Sequence, residues 1–275
     1  MSGAAVEAPR RLDALVLDNR AEGGQNHRLR LAAPEWPGAA PGQFVMLSPG
    51  ALGAAARYDP LLPRPMAVYR TLARDGAREV EILYKVTGRG TQLLAGTRAG
   101  ERVRMVGPLG ASFPLPRAGE RALLVGGGTG IASLYELAAS ACERGPVAVL
   151  LGARRASDLM GVADFAALPL ELRIATEDGS EGARGVVTEL LEAALADAAA
   201  PIRVYACGPT PMMRRAAELA AARGRHCIVS LENHMACGFG VCLGCAVPRA
   251  GGGFALVCRD GPVLDAGAVA WAGLP

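Results

Sequence analysis

No apolar run in this sequence approaches the ~18 residues that a membrane-spanning helix needs, although 51% of its 275 residues are hydrophobic. The opening stretch MSGAAVEAPRRLDALVLDNR has no continuous apolar segment followed by a small-residue cleavage site, the mark of a secretory leader. The expected location is therefore cytoplasmic. Charge is not concentrated either. The formal net charge is +3, and the pairs Arg10/Arg11, Arg154/Arg155 and Arg214/Arg215 are scattered, whereas a nucleic-acid surface needs a stripe. Neither a nucleic acid nor a membrane is expected as a partner. Lysine is almost missing: Lys85 is the one lysine among 29 basic residues, while alanine and glycine abound, a compositional bias that carries no functional reading. There is no internal repeat at solenoid periods and no long low-complexity segment. Cysteine is sparse outside the C-terminal region. The total of seven is odd, with four of them bunched near the end, which disfavours a secreted disulfide framework and favours a metal site in a reducing compartment.

What is present divides the chain. Its length suits more than one core. From residue 12 to about 110, short β-like runs (LDALVL, HRLRLAA, GQFVMLS, PMAVYR, REVEILYKV, ERVRMVGP) are separated by glycine and proline, which suggests an antiparallel sandwich or barrel. A short helix is expected around TQLLAG. Beyond PLPRAGE the texture changes: RALLVGGGTG leads into IASLYELAASACERG, then VAVLLGA, SDLMGVADFAAL, LELRIAT, VVTELLEAAL, IRVYACGP, TPMMRRAAELAAARG and HCIVS. Strands alternating with helices imply a parallel sheet with crossover helices. The expected fold class is α+β and multidomain: an antiparallel β-barrel over residues 1–117, an α/β parallel-sheet nucleotide domain over 118–230, and a small cluster-binding subdomain over 231–275.

The segment ENHMACGFGVCLGCAVP holds Cys237, Cys242 and Cys245, and with Cys258 the spacing is C-x4-C-x2-C-x12-C. A [2Fe–2S] cluster needs two thiolates per iron, and three close cysteines closed by a distant fourth match the plant-type spacing. Gly238, Gly240 and Gly244 let the loop turn tightly and bring backbone N–H groups toward sulfur. The alternative is structural zinc, but a zinc ribbon pairs C-x2-C with a second C-x2-C, and that second pair is missing. Cys142 and Cys227 read as small core residues. His27, His226 and His234 read as surface residues; a Rieske-type site would need two histidines in place of two cysteines.

VGGGTGIAS places Gly127, Gly128, Thr129 and Gly130 at a strand-to-helix turn, where helical N–H groups and the helix dipole can receive a phosphate. It is neither the dinucleotide fingerprint nor a P-loop, and such a turn also serves tight helix–sheet packing. The later CGP, Cys207 to Pro209, ends another strand, and the two together would line the crevice at the carboxyl ends of a parallel sheet. Glu177 and Asp178 in LRIATEDGS would repel a 2′-phosphate and could accept hydrogen bonds from ribose hydroxyls, which favours NAD over NADP. A solvated acidic turn is the alternative, and Arg154 and Arg155 could reverse the preference.

In the first region, RPMAV carries Arg64, which can pair with a pyrophosphate, and LYKVTGRGT offers backbone donors and a hydroxyl to the same group in its Gly88–Thr91 turn. Each could equally be a plain edge strand or turn. Taken in order, RPMAV, YKVTGRGT, GPLG, VGGGTG, YACGPTPMM, SLENHMACGFGVCLGCAV and CRDGPV resemble the electron-transfer subunits of type B dihydroorotate dehydrogenase, a branch of the ferredoxin reductase superfamily. The resemblance spans nearly the whole chain and is most specific in the cysteine block. It implies FAD on the barrel, NAD on the α/β domain, and a [2Fe–2S] cluster facing an FMN-containing catalytic subunit in a heterotetramer of two of each. By the same resemblance Arg64, Pro65, Met66, Ala67, Leu83, Tyr84, Lys85, Gly90 and Thr91 contact FAD, and Cys237, Cys242, Cys245 and Cys258 ligate the cluster. One departure stands out. Ala67 occupies the position where the family usually has a serine hydroxyl near the flavin N5. No acid–base residue for pyrimidine chemistry is evident; Ala67 and Cys207 are the residues nearest the expected flavin and nicotinamide. A nicotinamide moves a hydride and a cluster moves single electrons, and a flavin does both. The expected function is electron transfer between the catalytic subunit and NAD+ in pyrimidine biosynthesis. The alternatives are a subunit of another NAD(P)H-linked complex, of the ferredoxin–NADP oxidoreductase or sulfide dehydrogenase type, and a zinc-stabilised nucleotide-binding module.

Overall fold

A computed structural model of the chain describes residues 8–53, 59–74, 77–196 and 201–274. The first unit is a seven-stranded antiparallel sheet made of β1 (Arg10–Gly23), β2 (Asn26–Ala32), β3 (Phe44–Leu47), β4 (Arg64–Ala67), β5 (Arg70–Arg74), β6 (Ala77–Lys85) and β7 (Arg102–Leu109), in the order β4-β3-β7-β1-β2-β6-β5. One short helix, α1 (Arg89–Ala95), follows β6. The period-two pattern of a strand explains the curl. Val80, Ile82 and Tyr84 of β6 point into the unit's own core, whereas Leu83 belongs to a second core shared with the following unit. Likewise Val45 and Leu47 of β3 point inward while Phe44 and Met46 face the rest of the molecule. The sheet is open where a barrel was expected: β4 and β5 end the order at opposite edges and do not pair. PMAVYR, which reads as one run, is therefore two strands. Its middle crosses from one edge to the other, with Val68 N bonded to Gln43 O (3.1 Å) and Tyr69 N to Glu81 O (3.0 Å).

The second unit is built from β8 (Arg121–Gly127), α2 (Tyr135–Cys142), β9 (Val147–Ala153), α3 (Val162–Ala166), β10 (Glu171–Thr176), β11 (Ala183–Arg184), α4 (Val187–Ala196), β12 (Ile202–Cys207), α5 (Thr210–Ala221) and β13 (His226–Ser230). After β13 come β14 (Ala246–Pro248) and β15 (Phe254–Leu256), paired as a small hairpin, and β16 (Val263–Asp265). The order β11-β10-β9-β8-β12-β13-β16 is parallel throughout except for β16, which adds antiparallel to β13. Strand order reverses between β8 and β12, the crevice where open α/β sheets bind ligands. β8, β9 and β12 are apolar along almost their whole length because helices cover both faces. SDLMGVADFAAL departs from its expected helix: Leu159 is extended, Gly161 turns the chain at φ +67°, and the α3 helix is five residues long.

One apolar core joins all three regions. Met46 and Leu109 from the curled sheet, Val204 and Val229 from the parallel sheet, and Cys245, Val257 and Cys258 from the C-terminal segment belong to it. Among the described residues, no helix is long and apolar enough to cross a membrane.

Candidate functional site

The carboxyl ends of β8, β9 and β12 open into a cleft of about 730 Å³. Two glycine turns build its floor by pressing backbone against backbone. A Cβ on Gly130 would collide with the Cys207 carbonyl and the Gly208 nitrogen, and one on Gly208, at φ +151°, would sit 2.6 Å from the Gly127 carbonyl oxygen. These positions need glycine for close approach. The chain beyond Gly127 first winds as a tight 3-10 segment, Gly128–Leu134, before α2 begins, so the helix dipole is set back from the turn.

Of the residues expected to hold a dinucleotide, Gly127, Gly128, Thr129, Glu177, Gly208 and Pro209 line the cleft. Gly130 and Cys207 lie beneath it, fully covered. The two acidic residues diverge. Glu177 faces the cleft, whereas Asp178 accepts hydrogen bonds from the Ser180 hydroxyl (2.6 Å) and N–H (3.0 Å), which hold its carboxyl below the usual range. Arg154 also lines the cleft; Arg155 pairs with Asp158 at 3.4 Å. Burial and the nearby Glu232 charge push the Cys207 thiol up to about 12, against hydrogen bonds with Ser133 and Ser230. It stays a protonated thiol at neutral pH.

Glu232 escaped the sequence reading. Its carboxylate reaches solvent at the cleft mouth and accepts from the Thr129 hydroxyl at 3.3 Å, while crowding by the surrounding protein raises its pKa. The signal available was its position two residues beyond β13, on the carboxyl side of the sheet. Lys85, expected beside FAD, also reaches this cleft. Its Nζ crosses to the cleft and pairs with Asp158 at 3.1 Å, so the chain's one lysine joins the two units at the cleft wall.

On the curled sheet, the Arg64 side chain lies across Gly90, where a Cβ would come within 2.5 Å of its Nε. Its Nη1 donates to the carbonyls of Leu62 at 2.8 Å and Pro63 at 3.4 Å, and among the described residues it has no carboxylate partner. An uncompensated guanidinium over a glycine at the start of α1 is a natural cradle for a pyrophosphate. The Thr91 hydroxyl, expected to be a donor there, is instead used within the turn. It accepts from Thr87 N (3.0 Å) and Gly88 N (3.1 Å) and donates to Gly88 O (2.9 Å). Pro65, Met66 and Ala67 lie on β4, half-buried, with Ala67 opposite Phe44. Leu83 and Tyr84 are buried on β6, and burial raises the Tyr84 phenol to about 12 against its bond to Asn19.

The four C-terminal cysteines form two pairs. Cys245 and Cys258 are buried with their sulfurs 3.2 Å apart, and Cys258 N donates to the Cys245 sulfur at 3.4 Å. Burial and this neighbour push the Cys258 thiol up to about 12. Cys237 and Cys242 lie on the outer side, Cys242 exposed. Burial opposes ionisation of Cys237, but the N–H groups of Cys242, Phe239 and Val241 and the Cys242 thiol lower it to about 6. The turns rely on Gly238 (φ +85°) and Gly240 (φ +82°), with Cβ positions hard against Met46 and Arg259, and on Leu243 at φ +60°. Among the described residues, no three cysteine, histidine or acidic side chains converge on one point as a single zinc ion requires. Two cysteine pairs fit two irons better. Around them Phe239, Val241 and Leu243 are exposed, Val241 to 79%. Cys142 and Cys227 stand apart from the cluster, their thiols raised by burial. His27 packs on the Tyr84 ring (5.5 Å), while His226 pairs with Asp265 at the surface and His234 is exposed.

Comparison with known proteins bears on this arrangement. Residues 232–270 match the model of the iron-sulfur cluster binding domain of dihydroorotate dehydrogenase B, and residues 124–218 match that of an oxidoreductase NAD-binding domain. The dihydroorotate dehydrogenase B (NAD(+)) electron transfer subunit of Bacillus caldolyticus is 42% identical over 234 residues, which cover 83% of this chain and 86% of that protein. A homolog of that subunit from Aquifex aeolicus is 36% identical over 258 residues, covering 92% and 96%. The solved structure of an NADH-dependent reduced ferredoxin-NADP oxidoreductase, described for flavin-based electron bifurcation, matches with a TM-score of 0.80 at 29% identity, over 99% of this chain and 92% of that one. A ferredoxin reductase in carbazole 1,9a-dioxygenase matches at TM-score 0.65 and 24% identity over 79% of this chain and 67% of that one, a likeness of fold.

Proposed function

The chain belongs to the family of dihydroorotate dehydrogenase B electron transfer subunits, and from that premise we propose how its residues serve electron transfer between a catalytic subunit and NAD+ in pyrimidine biosynthesis. It is an NAD-linked oxidoreductase subunit of ferredoxin reductase-like fold, with FAD, a [2Fe–2S] cluster and NAD as its cofactors. The observation that carries the assignment of roles is the placement of the cysteine loop. Its buried pair shares a core with Met46 of the curled sheet and Val204 of the parallel sheet, so one loop touches both nucleotide-binding units and still exposes its outer face.

Arg64, with the turn at Gly90 and Thr91, holds the FAD pyrophosphate. Pro65 to Ala67 and Leu83 to Lys85 flank the ring system with backbone groups, and Ala67 leaves the flavin edge without a hydroxyl. Gly127 to Gly130 and Cys207 to Pro209 receive the dinucleotide by backbone approach, Glu177 takes ribose hydroxyls, and Asp178 stays in its turn with Ser180. Cys207 contributes a neutral, buried wall. Cys237, Cys242, Cys245 and Cys258 ligate the cluster, with Cys237 presented by N–H groups that stabilise its thiolate. Bound in this frame, a flavin supplies the exchange between hydride and single-electron chemistry.

The exposed Phe239, Val241 and Leu243 form the dock for an FMN-containing catalytic subunit, with two copies of each chain in a cytoplasmic heterotetramer. The domain limits follow the same division: 1–117 for FAD, 118–230 for NAD and 231–275 for the cluster. The test is the visible spectrum of the native complex before and after anaerobic dihydroorotate. Bleaching of the flavin and iron–sulfur bands is expected; a spectrum that holds against dihydroorotate yet bleaches with NADH would overturn the substrate.

A further inference from the structure

We propose that Asp164 is a positioning residue, the hub of a clamp that locks the parallel-sheet unit onto the curled sheet and so sets the separation between the nicotinamide and flavin sites. Asp164, on α3, receives three donors from the other unit: Arg28 Nη2 (2.6 Å), the Tyr69 hydroxyl (2.8 Å) and Arg70 Nη1 (3.2 Å). Both arginines are held from behind by one carboxylate, Glu81, which accepts from Arg28 Nη1 at 2.9 Å and Arg70 Nε at 2.6 Å. Glu22 closes the far side of Arg28. The side chains of Arg28 and Glu81 are 8% and 4% exposed. In so dry a network, loss of one partner leaves charge unpaired, which is costly.

The approach is shaped for this contact. Gly161, at φ +67°, starts α3 where a Cβ would lie 2.7 Å from the Tyr69 hydroxyl, so only glycine lets the helix come down on that ring. Tyr69 is fully buried, with the Arg28 guanidinium 5.2 Å from its centroid and the Tyr135 ring 4.8 Å away. The contact runs on toward the cleft. Asn26 donates to the Leu159 carbonyl at 3.2 Å, and Asp158 pairs with Lys85; Lys85 and Asp158 both line the cleft that Gly127 lines. On a second front, Thr71 N donates to Glu136 at 2.7 Å. The ties from Arg28, Tyr69, Arg70, Asn26, Lys85 and Thr71 join the curled-sheet unit to the unit that carries the cleft, and a misplacement of about 1 Å between reacting groups can cost about a hundredfold in rate.

This inference rests on the assignment of the cleft to NAD and of the facing strands to FAD. It is tested in the intact complex with Asp164→Asn. Amide hydrogen exchange, measured without NADH, should quicken at Thr71 and across Leu159–Phe165 while Leu123–Val125 stays protected. In single-turnover reduction by NADH, the limiting rate should fall at least about tenfold with the NADH Kd within about twofold of wild type. Asp164→Glu should recover part of the rate. Tyr69→Phe keeps the ring and removes one donor; it should give a smaller loss of the same kind, and it decides the matter if the Asn variant does not fold. Unchanged exchange, or looser exchange with an unchanged limiting rate, would overturn the clamp. A wild-type complex that NADH does not reduce would overturn the functional reading instead, and the exchange comparison would still show whether the clamp holds the units together.

Discussion

The cysteine loop and the β8–β12 cleft are built on opposite terms. The loop works through side chains whose spacing along the sequence is itself the signal, and it turns three large apolar residues outward. The cleft floor works through backbone, made by glycines that let two turns touch, and the Cys207 thiol beneath it is fully buried. A site meant for a tightly held group and a protein partner can be exposed and explicit in sequence. A site meant for an exchanging dinucleotide is a shape, and shape is carried by what the residues lack.

The contrast can be broken at several points, with falling effect. Cys242→Ala should abolish the iron–sulfur absorption and lower NAD-linked dihydroorotate oxidation by more than about a hundredfold, while the thermal transition of the cofactor-free chain barely moves, because Cys242 is exposed. Oxidation at the wild-type rate in the colour-depleted variant would remove the loop from the electron path. Gly130→Ala puts a methyl group into the Cys207–Gly208 backbone and should cost about 2–3 kcal/mol, seen as a Tm lower by several degrees; an unchanged Tm would mean that the two turns do not need their contact. Val241→Asp should weaken association with the catalytic subunit by about tenfold, or 1.4 kcal/mol, at unchanged Tm, and titration calorimetry would read it. Glu177→Gln should reduce discrimination against NADPH by about fivefold, the scale of one charge near a protein surface, whereas Asp178→Asn should leave it alone. Equal effects from the two would contradict their different orientations.

Legibility followed the same divide. The runs RALLVGG and IRVYAC are β8 and β12 in the structure, because short, largely apolar stretches that lead into a glycine turn suit buried parallel strands. PMAVYR was not legible as two strands, since nothing local says that Val68 and Tyr69 carry the chain from one sheet edge to the other. Composition pointed to helix in SDLMGVADFAAL; Gly161 and the docking of Tyr69 above it override that preference. Thr91 illustrates a subtler limit. A hydroxyl in a phosphate-cradling turn looks available in sequence, yet it is spent on the turn's own N–H groups. Asp164 and Arg28 lie 136 positions apart, and no spacing rule could join them.

One feature of the sheet bears on how such a chain could arise. β13 and β16 are neighbours, with Ser230 opposite Val263, and the Leu231 N–H donates to the Pro262 carbonyl at 2.9 Å. Residues 231–262 thus leave and re-enter through a narrow neck, like a bead clipped between two adjacent strands. An ancestral reductase could have gained this cassette by a single insertion at a sheet edge without re-threading any strand, since closing a loop costs little more as it lengthens. The same neck marks where a parallel-sheet reductase becomes a protein wired for one-electron traffic.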